Sequence, residues 1–202
     1  MRLFKLLLTL GAAPVGLGAQ AAQPSATVAP LSAAQQIASA LLPLPAEFRS
    51  DAQVLGYRAG GKQLVTLREG TGAFICLASD PALPQFHVAC YHRSLEPFMA
   101  RGRALRASGV KGNDVDSARF AEIRKGTLAM PTHPAVLYSL TGPAGAYDTT
   151  TGKAVGARPL SVIYIAGATS ASTGLSAKPM EGAPWIMFPG TPKAHIMLVP
   201  KM

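Results

Sequence analysis

The spacing of apolar positions changes along this chain, and the changes mark its elements. In LSAAQQIASALL, Ala34, Ile37, Ala38 and Leu41 recur at helical intervals and Pro43 closes the run. The spacing predicts a short amphipathic helix. Three β-type runs follow, AQVLGYR, QLVTLRE and AFICLAS, parted by the turn-forming segments AGGK and GTG. Val65 and Leu67, then Phe74 and Cys76, alternate with more polar partners, as half-buried strands require. The pattern predicts an antiparallel meander. The next stretch, SDPALPQFHVA, carries two prolines and reads as an irregular loop.

Helical spacing returns after Cys90. Ser94 is suited to an N-cap, with Glu96 and Pro97 in the first turn. Leu95, Phe98, Met99, Gly102 and Leu105 then share one face, and Gly109 stops the helix. Arg101, Arg103 and Arg106 fall largely elsewhere, form no single stripe, and read as solvated charge. A second helix starts near Asp114 or Asp116 and runs through Phe120 and Ile123 to Gly126. Arg124 and Lys125 favour its C-terminal end.

The last third is β-rich. AVLYSL and LSVIYIAG read as strands on either side of a turn-rich excursion, Gly142–Pro159. ASTGLSAKP is short enough for a helical turn or a loop. PWIMF and HIMLV, joined through Pro189-Gly190, are nearly unbroken apolar runs of the kind found in strands buried on both faces. Strands and helices in this order predict an α+β fold, an antiparallel sheet with two or three helices packed on one face, in a single domain over 31–202.

The N-terminus changes the picture. Arg2 and Lys5 precede an apolar run, Leu6–Gly18, and Ala19-Gln20-Ala21 offers the small residues that a signal peptidase accepts. Residues 1–21 therefore read as a secretory signal peptide and 22–30 as a flexible leader. Cleavage leaves about 180 residues, enough for one well-buried core. No later segment reaches the roughly 18 apolar residues of a membrane span. The expected location is periplasmic or secreted. An oxidising compartment and an even count then pair Cys76 with Cys90 in a disulfide.

With Arg2 and Lys5 removed from the 19 basic residues, the excess over the 10 acidic ones is about +7. That charge either serves solubility or suits an anionic envelope component, and a small molecule is the other partner left open. Export argues against nucleic acid.

Chemistry concentrates in APWIMFPGTPKAHIML, which holds the only tryptophan. On a strand, His195 and Met197 share a face, and Met187 stands close by in sequence. An imidazole and thioethers form a soft set suited to copper. Thioethers are also ordinary core fillers. No G-x-S-x-G elbow, complete phosphate loop, H-E-x-x-H or C-x-x-C occurs. Hydroxyls at Ser170, Ser172 and Thr173 and the histidines His92, His133 and His195 leave a hydrolase reading open without assigning a catalytic residue.

The phrases CYHRSLEPFMARGR, MPTHPAVLYSLTG, STGLSAKP and PWIMFPGTPKAHIM together resemble a family of exported bacterial proteins whose activity is uncharacterised. The resemblance covers most of the mature chain and implies export, a Cys-bounded loop and a closing His-x-Met; it brings no catalytic residues. The leading expectation is a non-catalytic domain that binds a ligand or an envelope component, using Tyr91, His92, Ser172, Thr173, Trp185 and His195.

Overall fold

The computed structural model describes residues 30–200. The signal peptide expected over 1–21, and the leader over 22–30 apart from Pro30, lie outside the described residues. Within them the chain forms helix α1 (Ala33–Ala40), strands β1 (Gln53–Tyr57), β2 (Leu64–Arg68), β3 (Phe74–Leu77) and β4 (Gln85–His92), then helices α2 (Glu96–Ala107) and α3 (Asp114–Arg124). Strands β5 (Ala135–Pro143), β6 (Tyr147–Asp148), β7 (Lys153–Ala154) and β8 (Arg158–Tyr164) follow. Helix α4 (Ser170–Thr173) and strands β9 (Trp185–Met187) and β10 (His195–Leu198) complete the order. Eight strands make one sheet in the order β2-β1-β3-β4-β5-β8-β10-β9, and β6 and β7 pair separately within the Gly142–Pro159 excursion. The fold is the expected α+β domain.

Every neighbouring pair in the large sheet is antiparallel except one: β3 runs parallel to β1. The first three strands are therefore not the meander their glycine-rich separators predict. β2 returns along one side of β1, and the chain then passes around the start of β1 to lay β3 on its other side. Gly70 and Gly72 make that passage. A Cβ on Gly70 would stand 2.3 Å from the Asp51 carbonyl oxygen, and one on Gly72 would meet the Asp51 carboxyl. The glycines serve close backbone approach, not a hairpin turn. Arg93 ties the passage down by donating to the carbonyls of Gly72 and Gly70 and to the Gln53 side chain.

The strand period of two separates two cores. Val54, Phe74, Cys76 and Cys90 face Ala40 and Leu44, at and just beyond the end of α1. Ile75, Tyr91, Val162 and Tyr164 face Leu95 and Phe98 of the α2 region, with Phe120 and Ile123 of α3 packed against them. Two helices thus share one face as expected, while α1 lies on the other. Each fully buried side chain here, such as Tyr91, Phe98 or Leu95, contributes about 1.5–3 kcal/mol of burial free energy.

Several boundaries moved for identifiable reasons. Ser32 and Gln35 form a capping box on α1, but the buried positions are Gln36, Ser39 and Ala40, not Ala34 and Ala38. Gln36 accounts for the rotation: its amide pairs with both the N–H and the C=O of Tyr57 at the end of β1. Ser94 does not cap α2, whose N-cap is Leu95 with no side-chain bond; a 3₁₀ turn over Arg93–Leu95 intervenes, capped by the His92 ring. The segment expected as a loop up to Cys90 becomes strand from Gln85, because Phe86 and Val88 are buried and the backbone pairs with β5. Cys76 and Cys90 are therefore direct cross-strand partners rather than the ends of an irregular loop, and they form the expected disulfide. A loop of this length contributes about 3 kcal/mol in the chain-entropy account. Among the described residues no helix is long and apolar enough to cross a membrane.

Candidate functional site

α2 and α3 leave a cleft of about 220 Å³ between themselves and the sheet, lined by Leu77, Phe98, Met99, Arg103, Arg106, Arg119, Tyr164 and Lys193. Helical spacing builds one wall. Met99 and Arg103 are four residues apart on α2 and Arg106 lies three further on, so all three reach the same side. Lys193 arrives from the turn before β10, and Tyr164 from the end of β8.

Arg119 is the unusual member. It is 3 % exposed, four residues after the buried Val115, and so occupies a core position of α3. Its guanidinium stacks 3.7 Å from the Phe98 ring centroid and donates to the Phe98 carbonyl and to Asp116. Its Nε is buried without a partner. Gly102 makes the space: a Cβ there would lie 2.8 Å from an Arg119 nitrogen. The Asp116 carboxylate also accepts from Lys193 at 2.8 Å, linking α3 to the turn before β10. Burial favours its neutral form, but the hydrogen bonds from Lys193 and Arg119 outweigh this and hold its pKa below the ordinary carboxylate value.

Arg103 donates to Glu96 and to the Tyr91 hydroxyl. Burial and the Glu96 hydrogen bond push the Tyr91 pKa up, so the phenol stays protonated and donates to Glu96. Arg101 forms a two-pronged pair with Glu122. The helix arginines expected as solvated charge are thus partly committed: Arg101 and Arg103 are paired, whereas Arg106 is exposed and has no carboxylate partner among the described residues.

The closing segment meets this cleft through Lys193. Phe188 stands beside it with a positive φ of 51° and 41 % exposure, its ring centroid 4.5 Å from the Lys193 ammonium. The Phe188 carbonyl accepts from both the N–H and the hydroxyl of Thr191, which holds the left-handed backbone in place. His195 is 6 % exposed, packs against Tyr164 and Phe188, and has its Nδ1 2.7 Å from the Lys193 carbonyl. That contact fixes the tautomer: Nδ1 carries the proton and donates. Burial lowers the His195 pKa.

The six residues expected to bind a ligand do not converge. Tyr91 is buried beneath α2, where it steadies Arg103. His92 points to the opposite face, edge-on to Phe74. Ser172 and Thr173 sit in α4 and bond to Thr169. Trp185 is buried on β9, opposite Met197, and His195 is paired with Met187. The register thus puts Met187, His195 and Met197 on one face. Among the described residues no group of three His, Cys, Asp or Glu could hold a metal.

Three histidines lie within hydrogen-bond distance of a hydroxyl: His87 with Thr141, His92 with Ser94, and His133 with Thr132. Each pair is exposed, and none has a carboxylate bonded to the ring among the described residues. The third element of a nucleophile–base–acid set is therefore missing at each. A larger open groove of about 700 Å³ is bounded by residues including Leu31, Tyr57, Leu83, Phe86 and Tyr147. It contains no buried unpartnered side-chain atom among the described residues.

No protein-family model, curated protein or solved structure matches this chain.

Proposed function

We propose that this is an exported, non-catalytic binding domain for a small anion, which it takes in the cleft between α2, α3 and the sheet. The observation that carries the reading is the charge of that cleft. Arg103, Arg106, Arg119 and Lys193 all line it, and one of them keeps a buried, unpartnered Nε. Arg119 is the buried cation and is paired with Asp116, whereas Arg106 is exposed with no carboxylate partner among the described residues and is the group most open to a ligand. Guanidinium groups suit planar or tetrahedral oxyanions. Export rests on the leader pattern of residues 1–21 and agrees with the Cys76–Cys90 disulfide.

Isothermal titration calorimetry with inorganic phosphate tests the reading. The mature protein should bind phosphate, and an Arg106→Ala, Lys193→Ala variant should lose about tenfold or more in affinity, as expected for removing charge-assisted hydrogen bonds. Co-sedimentation with phosphatidylglycerol vesicles supplies the contrasting arm. Retention on vesicles without phosphate binding would replace the small-molecule reading with an envelope surface. A soft-metal reading keeps one supporting observation, Met187 opposite His195. Native mass spectrometry of protein from its own host would reveal bound copper and its loss in His195→Ala.

A further inference from the structure

The cleft says more than that its ligand is negative. Four cations surround it, and the carboxylates bonded to them are Glu96 and Asp116. A surplus of two positive charges remains. One carboxylate would leave half of that surplus uncompensated. A phosphate monoester, close to a dianion at neutral pH, matches it.

The rest of the lining is apolar. Leu77, Phe98, Met99 and Tyr164 offer a wall that inorganic phosphate cannot use. The Tyr164 hydroxyl is pushed up to about 12 by burial, so that wall adds no negative charge of its own. Phe188 lies outside that lining and adjoins it through Lys193. It is exposed, it is aromatic, and its backbone adopts a conformation that side-chain-bearing residues rarely hold. Strain of this kind persists where the surroundings over-determine it and concentrates at ligand clamps. The ring has the Lys193 ammonium 4.5 Å from its centroid and the His195 ring 5.7 Å away, and it still keeps 41 % of its surface exposed for contact with a ligand.

We propose that the cleft takes an aryl phosphate monoester, with the phosphate between Arg106 and Lys193 and the ring against Met99, Tyr164 and Phe188. This rests on the anion-binding reading above and extends it to the class of ligand. The space, about 220 Å³, suits a single ring and its phosphate better than a polymer.

The test compares inorganic phosphate, phenyl phosphate and benzoate by calorimetry near neutral pH, on the wild type and on Phe188→Ala. Phenyl phosphate should bind about tenfold or more tightly than either of the others, the scale of one stacked ring. Phe188→Ala should lose most of that advantage, bringing the affinities for phenyl phosphate and inorganic phosphate together. Phe188→Leu, which keeps apolar volume without an aromatic face, should behave in the same way and serves if the alanine variant does not fold. Equal affinity for phosphate and phenyl phosphate overturns the proposal, as does an advantage indifferent to Phe188. Benzoate binding as tightly as phenyl phosphate overturns the dianion. Each of those results leaves the anion site standing, whereas a wild type that binds none of the three probes removes both.

Discussion

Phe188 shows how much a single position can decide. At φ 51° any side chain with a Cβ crowds the following carbonyl, which costs roughly 1–2 kcal/mol relative to a right-handed conformation. Glycine escapes that cost. Phe188→Gly should therefore be more stable than Phe188→Ala by about 1 kcal/mol, although glycine is normally the less stable of the two. Urea denaturation of the two variants measures the difference, and an alanine variant at least as stable as glycine would contradict the strained backbone. Nothing in FPGT marks Phe188 beforehand, since Pro189-Gly190 indicates a turn and leaves the residue before it unremarked. Arg119 was more accessible. It follows Val115 by four residues and faces Gly102, the one position on the apolar face of α2 without a side chain. A cation on a core stripe opposite a glycine is a readable signal, but it becomes meaningful only once two helices are known to touch.

At the level of elements, the crossover between β2 and β3 depends on two glycines with different neighbours. Gly70 presses on backbone, with the Asp51 oxygen and the Gln53 nitrogen both within 2.5 Å of a built Cβ. The atoms nearest a Cβ on Gly72 all belong to the Asp51 side chain, which can turn away. Gly70→Ala should cost about 3 kcal/mol, at the upper end of overpacking effects, and Gly72→Ala about 1 kcal/mol. Chemical denaturation ranks them, and equal losses would show that the passage is looser than described. The strands here were readable as strands from their alternation. Their order was not, because GTG suits a tight turn and a close crossing equally well. β4 was hidden differently: Pro81 and Pro84 suggested a loop, while the alternation of Phe86 and Val88 already carried the strand.

For the whole molecule, acid should act in two stages. His195 is buried and its pKa lies below the ordinary histidine value. As pH falls through about 6.5 the unfolded chain takes up this proton first, so stability is full above that point and declines below it until the folded histidine also titrates. Asp116 has a depressed pKa, so its contribution survives further and is lost only as pH falls through its folded value, below the usual carboxylate range. Urea midpoints should therefore drop between about pH 7.5 and pH 5, and again below about pH 4. His195→Gln should reduce the first stage, leaving the share of His87, whose pKa burial also lowers, and keep the second. Parallel curves for the two proteins across the first stage would rule out His195 as its source.

Local pattern was enough to establish much of this protein. Periodicity located the helices and most strands, the cysteine count indicated a disulfide, and the alternation of strands and helices indicated an α+β domain. These properties are written within windows of a few residues, where a period of 2 or 3.6 is a direct consequence of backbone geometry. The cleft is of another kind. Met99, Arg103 and Arg106 on α2, Arg119 on α3, Tyr164 on β8 and Lys193 before β10 are brought together by helix packing and by the order β5-β8-β10-β9. Arg103 and Lys193 are ninety positions apart in sequence. Each expected site residue carries suitable chemistry by itself, but strand alternation sends Tyr91 and His92 to opposite faces. Which side chains meet depends on long-range pairing, whose closure entropy and packing no short window contains.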